Sequence, residues 1–275
     1  MGVMRLGTAL IARWSRDLCD SMFIKRRRRE YNLITSAVMS VVPSDLIGKL
    51  RVIEYGCGLG VGAQSLGQLG DLVVTDIYKD PLLNLPPGVE FRIADIHQTD
   101  FKDDEFDVLV SNQVLEYLDV KKAFQEMKRM GKENAYYVFS VPTATWLVLS
   151  IPGQIFKKFE NMYTKIKRRF RKVSERALNE PNRFSVVKTK HGSNRWLSKF
   201  AIRGHGYQPG FFKCLKSWRV GNWEKMLLSN GFVIVRKTGL LAYGSSNLPI
   251  IPTNRFLAKL GLSASYLFIC KKSTQ

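Results

Sequence analysis

The chain has 275 residues, 45% hydrophobic and 24% charged, which is enough for a large core and excludes a disordered or low-complexity protein. Cys19, Cys57, Cys214 and Cys270 lie far apart with no C-x-x-C, and His97, His191 and His205 show no ligand spacing, so the sequence argues against a disulfide framework and against a metal site. The net charge of +20 is unevenly placed: residues 1–31 carry 8 basic and 3 acidic side chains, 32–144 carry 10 and 16, 145–220 carry 18 and 3, and 221–275 carry 7 and 1. An acidic middle flanked by basic segments attracts anionic partners: nucleic acid, anionic lipid headgroups, or an acidic or pyrophosphate-bearing substrate.

Met1 to Ile24 reads as a basic amphipathic helix, with Ile11, Trp14, Leu18 and Met22 on one face and Arg5, Arg13 and Arg16 elsewhere. The apolar stretch Leu6 to Ala12 is short and runs into Arg13 and Trp14, which argues against a secretory signal. Leu6 also stands where the myristoylation pattern needs Ser or Thr. Lys25 to Arg29 follows as a solvated helix face or hinge, or as a contact for an anionic surface beside an interfacial helix. Leu33 to Val42 predicts a short helix closed by Pro43, so residues 1–46 form an N-terminal helical region.

An apolar run, Leu50 to Tyr55, then enters Gly56-Cys57-Gly58-Leu59-Gly60-Val61-Gly62 and a helix-compatible segment, Ala63 to Leu69. Glycines at alternate positions suit a backbone that takes φ > 0 and lets a ligand approach closely. A loop of this kind after the first strand of a parallel sheet is where nucleotide-like cofactors dock. Gly58, Gly60 and Ala63 satisfy the dinucleotide pattern G-x-G-x-x-G/A. Glu54, two residues ahead of Gly56, instead gives E-x-G-x-G-x-G. A second strand, Asp71 to Asp76, and a third, Val89 to Asp95, each end in an acid. A fourth, Phe106 to Asn112, continues into Gln113-Val-Leu-Glu116-Tyr117-Leu118. Alternation of strands with short helices or loops is the doubly wound α/β signature.

With these motifs in this order, residues 50 to 118 resemble the class I S-adenosylmethionine (AdoMet) dependent methyltransferases, and specifically their type-11 subgroup. The resemblance implies a Rossmann-like α/β fold with a mostly parallel seven-stranded sheet and an antiparallel last strand. It implies AdoMet as cofactor, held by Glu54, Gly56, Cys57, Gly58 and Gly60, by Asp76 and Ile77 at the ribose, and by Asp95, Ile96 and Asn112 about the adenine and beyond. The subgroup usually reads S-N-H-V-L-E-H-L after the fourth strand; here Gln113 and Tyr117 replace the histidines. A dehydrogenase reading stays open but leaves Glu54 and Asp95 without a role.

Val120 to Met130 predicts a helix ended by Gly131, in the manner of a C-terminal glycine cap. Ala135 to Val141 is strand 5, Trp223 to Asn230 a helix capped by Gly231, and Phe232 to Lys237 and Ser265 to Cys270 the closing antiparallel pair. Residues 47–275 thus make the methyltransferase domain. Between strand 5 and the closing helix lies an insertion, residues 143–220, where a bare α/β unit needs a handful. Within it Ile155, Phe159, Met162, Ile166 and Phe170 line one helical face crowded by Lys and Arg, the composition of a membrane-surface helix, although such a stripe also suits packing on the protein's own core. Trp146 to Ile151 is too short to span a bilayer. Narrower resemblance, on His191-Gly192 and on Trp223 through Gly231-Phe232, is to methyltransferases of bacterial polysaccharide and lipid-linked glycan pathways.

The reaction implied is an in-line displacement at the sulfonium methyl, for which the protein positions the partners and excludes water. The acceptor's proton needs a base, and His191, which titrates in the right range, is the first candidate, with Tyr117 and Glu116 after it. Three readings follow. The first is O-methylation of an anionic small-molecule, glycan or lipid-linked acceptor, by a cytoplasmic protein peripheral to the cytoplasmic membrane face. The second is methylation of RNA, against which count Phe159, Tyr163 and Phe170, placed on the apolar helical face rather than as stacking platforms. The third is a non-catalytic scaffold binding membranes or partners, against which counts the intact cofactor motif.

Overall fold

The computed structural model describes residues 21–151, 211–243 and 255–273. Met1 to Asp20 and residues 152–210 lie outside them, and with these the basic helix of the insertion, His191 and His205. The first element is one helix, α1 (Ser21–Met39), which runs straight through Lys25 to Arg29. The sequence pattern leaves Lys25 to Arg29 as either a solvated helix face or a hinge between two helices, and the structure takes the first. Arginine is a good helix former, so a run of four does not break a helix. The run is instead split between faces: Lys25, Arg28 and Arg29 are exposed, while Glu30, Tyr31, Ile34 and Val38 are buried.

β1 (Leu50–Tyr55) leads through the glycine loop into a single short turn of helix, α2 (Ala63–Leu66), and back into β2 (Gly70–Asp76). β3 (Glu90–Ile93) and β4 (Phe106–Asn112) follow, then α3 (Val120–Met130) and β5 (Gly131–Pro142). After β5 a helix, α4, covers residues 144–151. The later elements are α5 (Phe211–Ser217), α6 (Val220–Ser229), β6 (Phe232–Gly239), α7 (Arg255–Lys259) and β7 (Ser265–Lys272).

The strands form one seven-stranded sheet in the order β3-β2-β1-β4-β5-β7-β6. β1 to β5 run parallel, and β7 is antiparallel to both β5 and β6. The sheet is the Rossmann-like methyltransferase fold. Alternate residues of each strand feed opposite faces. Ile53, Leu109, Tyr137, Phe139 and Phe268 pack on one side with Phe124 and Met127 of α3 and Trp223 and Leu227 of α6. Val52, Val108, Val110, Val138 and Ile269 pack on the other with Tyr31, Ile34 and Val38 of α1 and Leu66 of α2. Phe232 centres the first layer, its ring 5.0 Å from Phe124 and 5.1 Å from Tyr137. Burial on both faces is what makes these strands read as apolar runs.

Gly131 ends α3 for another reason than the sequence pattern suggests. Its φ is −79°, so it takes no left-handed cap; a Cβ there would lie 2.2 Å from the Tyr137 hydroxyl. Gly231, at φ +74°, is the left-handed glycine beyond α6. Among the described residues no helix is long and apolar enough to cross a membrane.

Candidate active site

The chain turns from β1 to β2 and β3 on one side and returns to β4 on the other, so the carboxyl ends of β1 and β4 diverge at a topological switch point. A cavity of about 530 Å³ opens there. Its walls are the glycine loop, the ends of β2, β3 and β4 with the residues after them, and the Phe23, Arg27 and Tyr31 face of α1.

Gly56, Gly58 and Gly60 all have positive φ (70°, 53° and 73°). A Cβ on Gly56 would meet Val114 at 2.5 Å and one on Gly60 would meet Leu85 at 2.6 Å, whereas one on Gly58 meets nothing within 4 Å. Gly58 therefore keeps the cavity side of the loop clear. Gly62 has ordinary φ and serves packing: a Cβ there would stand 2.4 Å from the Tyr31 ring. Asp76, at the end of β2, accepts hydrogen bonds from the Gly58 N–H (2.9 Å) and the Ile77 N–H (2.8 Å), one on each carboxylate oxygen. Each oxygen keeps a second lone pair for a further donor.

Asp95 accepts from both the backbone N–H of His97 (2.9 Å) and its Nδ1 (2.7 Å) through one oxygen, which holds its carboxyl below the usual range. His97 Nε2 accepts from the Asp119 N–H at 3.2 Å, so the ring carries its proton on Nδ1 and ties β3 to the start of α3. Both bonds from His97 to Asp95 use Oδ1, and Asp95 lines the cavity together with buried Ile96 and exposed Ile77.

Glu54 lies behind the wall, fully buried, and accepts from the Tyr31 hydroxyl. Burial pushes its carboxyl up to about 7, and its Oε2 has no partner. Asn112 lines the cavity at 6% exposure with neither amide atom hydrogen-bonded. Its amide stands near the Tyr31 phenol without the alignment of a hydrogen bond. Glu116 is also buried, its carboxyl raised by burial to about 7 and its Oε2 unpartnered, whereas Tyr117 is half exposed on the cavity wall. Burial raises the Tyr117 phenol as well.

The sequence-predicted residues thus converge. Gly56, Cys57, Gly58, Asp76, Ile77, Asp95, Ile96, Asn112 and Tyr117 share one wall. Glu54 and Glu116 stand behind it, and Gly60 borders a neighbouring hollow with Ile24, Arg28 and Pro86. Sequence reading missed Phe23, Arg27, Tyr31, His97 and Gln113, all on the cavity. The first three recur at i, i+4 and i+8, a stripe that the flanking arginines mask. Arg27 Nη1 donates to Glu30 (2.8 Å) and Nη2 to Gln113 Oε1 (2.9 Å). Gln113 Nε2 donates to the Tyr243 hydroxyl (2.7 Å), and Glu30, fully buried, also accepts from Ser265.

Comparison with known proteins agrees with this geometry. Residues 53–139 match the family described as a methyltransferase domain. The protein is an S-adenosylmethionine-dependent methyltransferase by fold and by domain. Among solved structures, the chain is similar to a Burkholderia thailandensis 1,6-didemethyltoxoflavin-N1-methyltransferase with bound S-adenosylhomocysteine (10% identity, 98% of this chain and 90% of that one, TM-score 0.53). It is similar too to the Synechocystis magnesium protoporphyrin IX methyltransferase with the same product bound (15% identity, 96% and 94%, TM-score 0.52). A third is a possible histamine N-methyltransferase from Thermotoga maritima (14% identity, 96% and 96%, TM-score 0.51). No curated protein sequence matches the chain.

The methyltransferase's cavity suits AdoMet on its own chemistry. Orphaned Asn112 offers a donor and an acceptor, Gly58 leaves backbone open, and Asp76 and Asp95 present free lone pairs to hydroxyl and amino donors.

Proposed function

We propose that the enzyme methylates an oxygen of a small-molecule, glycan or lipid-linked acceptor that carries negative charge, working as a peripheral protein at the cytoplasmic membrane face. The observation behind the acceptor class is the charge of residues 145–220, 18 basic against 3 acidic, in the segment that follows β5 in the chain. The insertion 143–220 serves in this reading as the acceptor's cover.

AdoMet supplies an electrophilic methyl group on a positively charged sulfur. The protein's share is to hold and orient. Asp76 would hold the ribose hydroxyls, and Asp95, Ile77 and Ile96 would hold the adenine. Asn112, on the wall, would hold the amino-acid tail, with Glu54 buried behind the glycine loop. The acceptor enters beside Phe23, Tyr117 and Leu118, where apolar walls keep water from the reacting atoms. Its proton passes to a base. His191, carried by the insertion, is the first candidate, ahead of Tyr117 on the cavity wall and of Glu116 buried behind it, whose carboxyl burial raises to about 7.

Radiolabelled methyl transfer to a panel of acceptors tests this reading, with anionic glycolipids, their neutral counterparts and RNA in separate arms. Transfer to anionic lipid-linked acceptors, with salt-sensitive binding to anionic vesicles, supports it. Transfer to RNA alone overturns the acceptor class and leaves the methyltransferase intact. His191→Ala should leave AdoMet affinity unchanged and lower turnover; equal turnover removes His191 from the mechanism.

A further inference from the structure

A second hollow, of about 460 Å³, lies where α3, the end of α6 and the end of β7 meet. Gly131 opens β5, Gly231 precedes β6 and Lys272 closes the antiparallel β7, so all three stand at the amino end of the parallel strands. The cofactor cavity opens at the carboxyl ends, and the two share no lining residue. Lys121, Lys128 and Lys272 line the second hollow, and among the described residues no carboxylate does. Asp104, 3.9 Å from the Lys272 ammonium, lies outside the lining with its side chain 69% exposed, so it neutralises little.

Lysine carries its charge on a flexible stem, but two of these three are tied in place. Lys128 Nζ donates to the Asn230 carbonyl at 2.8 Å and stands 5.4 Å from the centre of the Phe232 ring. Lys272 Nζ donates to the Gly131 carbonyl at 2.6 Å. Those carbonyls lie just beyond the last turns of α6 and α3, where the helix dipole favours a cation. Each ammonium has three N–H groups and spends one on its carbonyl, so both keep donors for a ligand. Lys121 has no helix end to serve: it stands in the first turn of α3, where the dipole disfavours a cation. It lies two turns from Lys128 on the same face, about 10 Å along the axis. Gln125, Ser229 and Ser273 add neutral hydrogen-bonding groups to the lining.

From this cluster we infer that the hollow is a second ligand site, which binds a soluble diphosphate or triphosphate group independently of the cofactor. Fixed ammoniums capture phosphate as point charges. A single phosphate cannot meet cations spread over two turns of helix, whereas a chain of two or three can meet them in succession. The volume falls in the range of small-molecule sites. Neither the acceptor's class nor the cofactor's identity enters this reading.

Calorimetric titration of the full chain with inorganic phosphate, pyrophosphate, tripolyphosphate and ADP, each with and without saturating AdoMet, tests this. Affinity should rise from phosphate to pyrophosphate to tripolyphosphate and should not change with AdoMet. Tighter binding of ADP than of pyrophosphate would support the site with a nucleotide as the source of the diphosphate; the reverse order would support it with an inorganic source. Because the whole chain is basic, neighbouring substitutions of equal charge separate the hollow from the general field. Lys121→Glu should weaken pyrophosphate binding by about tenfold or more, the range of a lost charge-assisted hydrogen bond. Lys122→Glu, next to it on the exposed side of α3 and outside the hollow, should leave binding nearly unchanged. Lys128→Gln and Lys272→Gln, which keep an N–H for their carbonyls, should each weaken it. Lys121 is exposed, so its variant leaves the packed core intact and stays informative if the other two fail to fold. Equal losses for Lys121→Glu and Lys122→Glu would mean attraction by overall charge alone and would overturn the inference. Pyrophosphate bound no more tightly than phosphate, or displaced by AdoMet, would overturn it too. Failure of AdoMet itself to bind would overturn the cofactor assignment and leave this site standing.

Discussion

Glu54→Gln isolates the electrostatics of the glycine loop. Glu54 is fully buried, bonded to the Tyr31 hydroxyl through one oxygen and to nothing through the other. Its folded carboxyl sits near 7 against an ordinary value of 4.5, because burial penalises the charged form. A folded pKa raised in this way contributes stability at low pH that is lost as pH rises. Below about 4.5 both states are protonated, and between about 4.5 and 7 the unfolded chain ionises while the folded one does not. At about 1.4 kcal/mol for each unit of difference, the loss between about pH 5 and about pH 8 comes to about 2 kcal/mol. Gln keeps an acceptor for Tyr31 and cannot ionise, so the variant should lack this part of the pH dependence. Urea unfolding at the two pH values measures it. The unaltered protein should lose about 2 kcal/mol more than Glu54→Gln on going to the higher pH. Identical losses would show that Glu54 is already ionised in the fold and would refute the argument from burial.

Asp76→Ala should weaken AdoMet binding by at least about fivefold, from the lost hydrogen bonds to the ribose, as read by calorimetry. Two loop glycines should separate stability from binding. Gly62→Ala drives a methyl into the Tyr31 ring and should destabilise by about 1–3 kcal/mol in thermal or urea unfolding. Gly58→Ala has room but a strained φ, so its main effect should fall on AdoMet affinity rather than on the melting temperature. Glu116→Gln should flatten the stability profile over the same pH range as Glu54→Gln, since burial raises both carboxyls to about 7. If Glu116 is also the base, the acid limb of the rate profile should disappear with it.

The fold was legible because its signals are local. Apolar runs buried on both faces mark the strands, and the Ala123, Phe124, Met127, Met130 spacing marks α3, whose limits sequence and structure place identically. Glycine alternation after β1 and acids at the ends of β2 and β3 located the cavity for the same reason: each is a property of a few adjacent residues. The inward face of α1 was not legible because its signal is not local. Arg27 looks like its neighbours Arg26 and Arg28 until the tertiary fold turns it toward Gln113, 86 positions away. Glu30 looks like a surface carboxylate until Ser265, 235 positions on, is seen to donate to it. Gly131 shows a subtler failure. A glycine after a helix suggests a left-handed cap, but here the demand comes from the Tyr137 hydroxyl across the sheet. Gln113 was noticed only as a departure from a histidine, because nothing in the sequence reveals its positive φ or its two partners.

The account's central claim is that the cavity between β1 and β4 holds AdoMet on Asp76 and Asp95. Calorimetric titration of the unaltered protein and of Asp76→Ala, with AdoMet and separately with NADH, tests it most directly. Micromolar binding of AdoMet, weakened by the substitution, with no binding of NADH, is the predicted result. Binding of NADH in its place, or AdoMet affinity indifferent to Asp76, would contradict it.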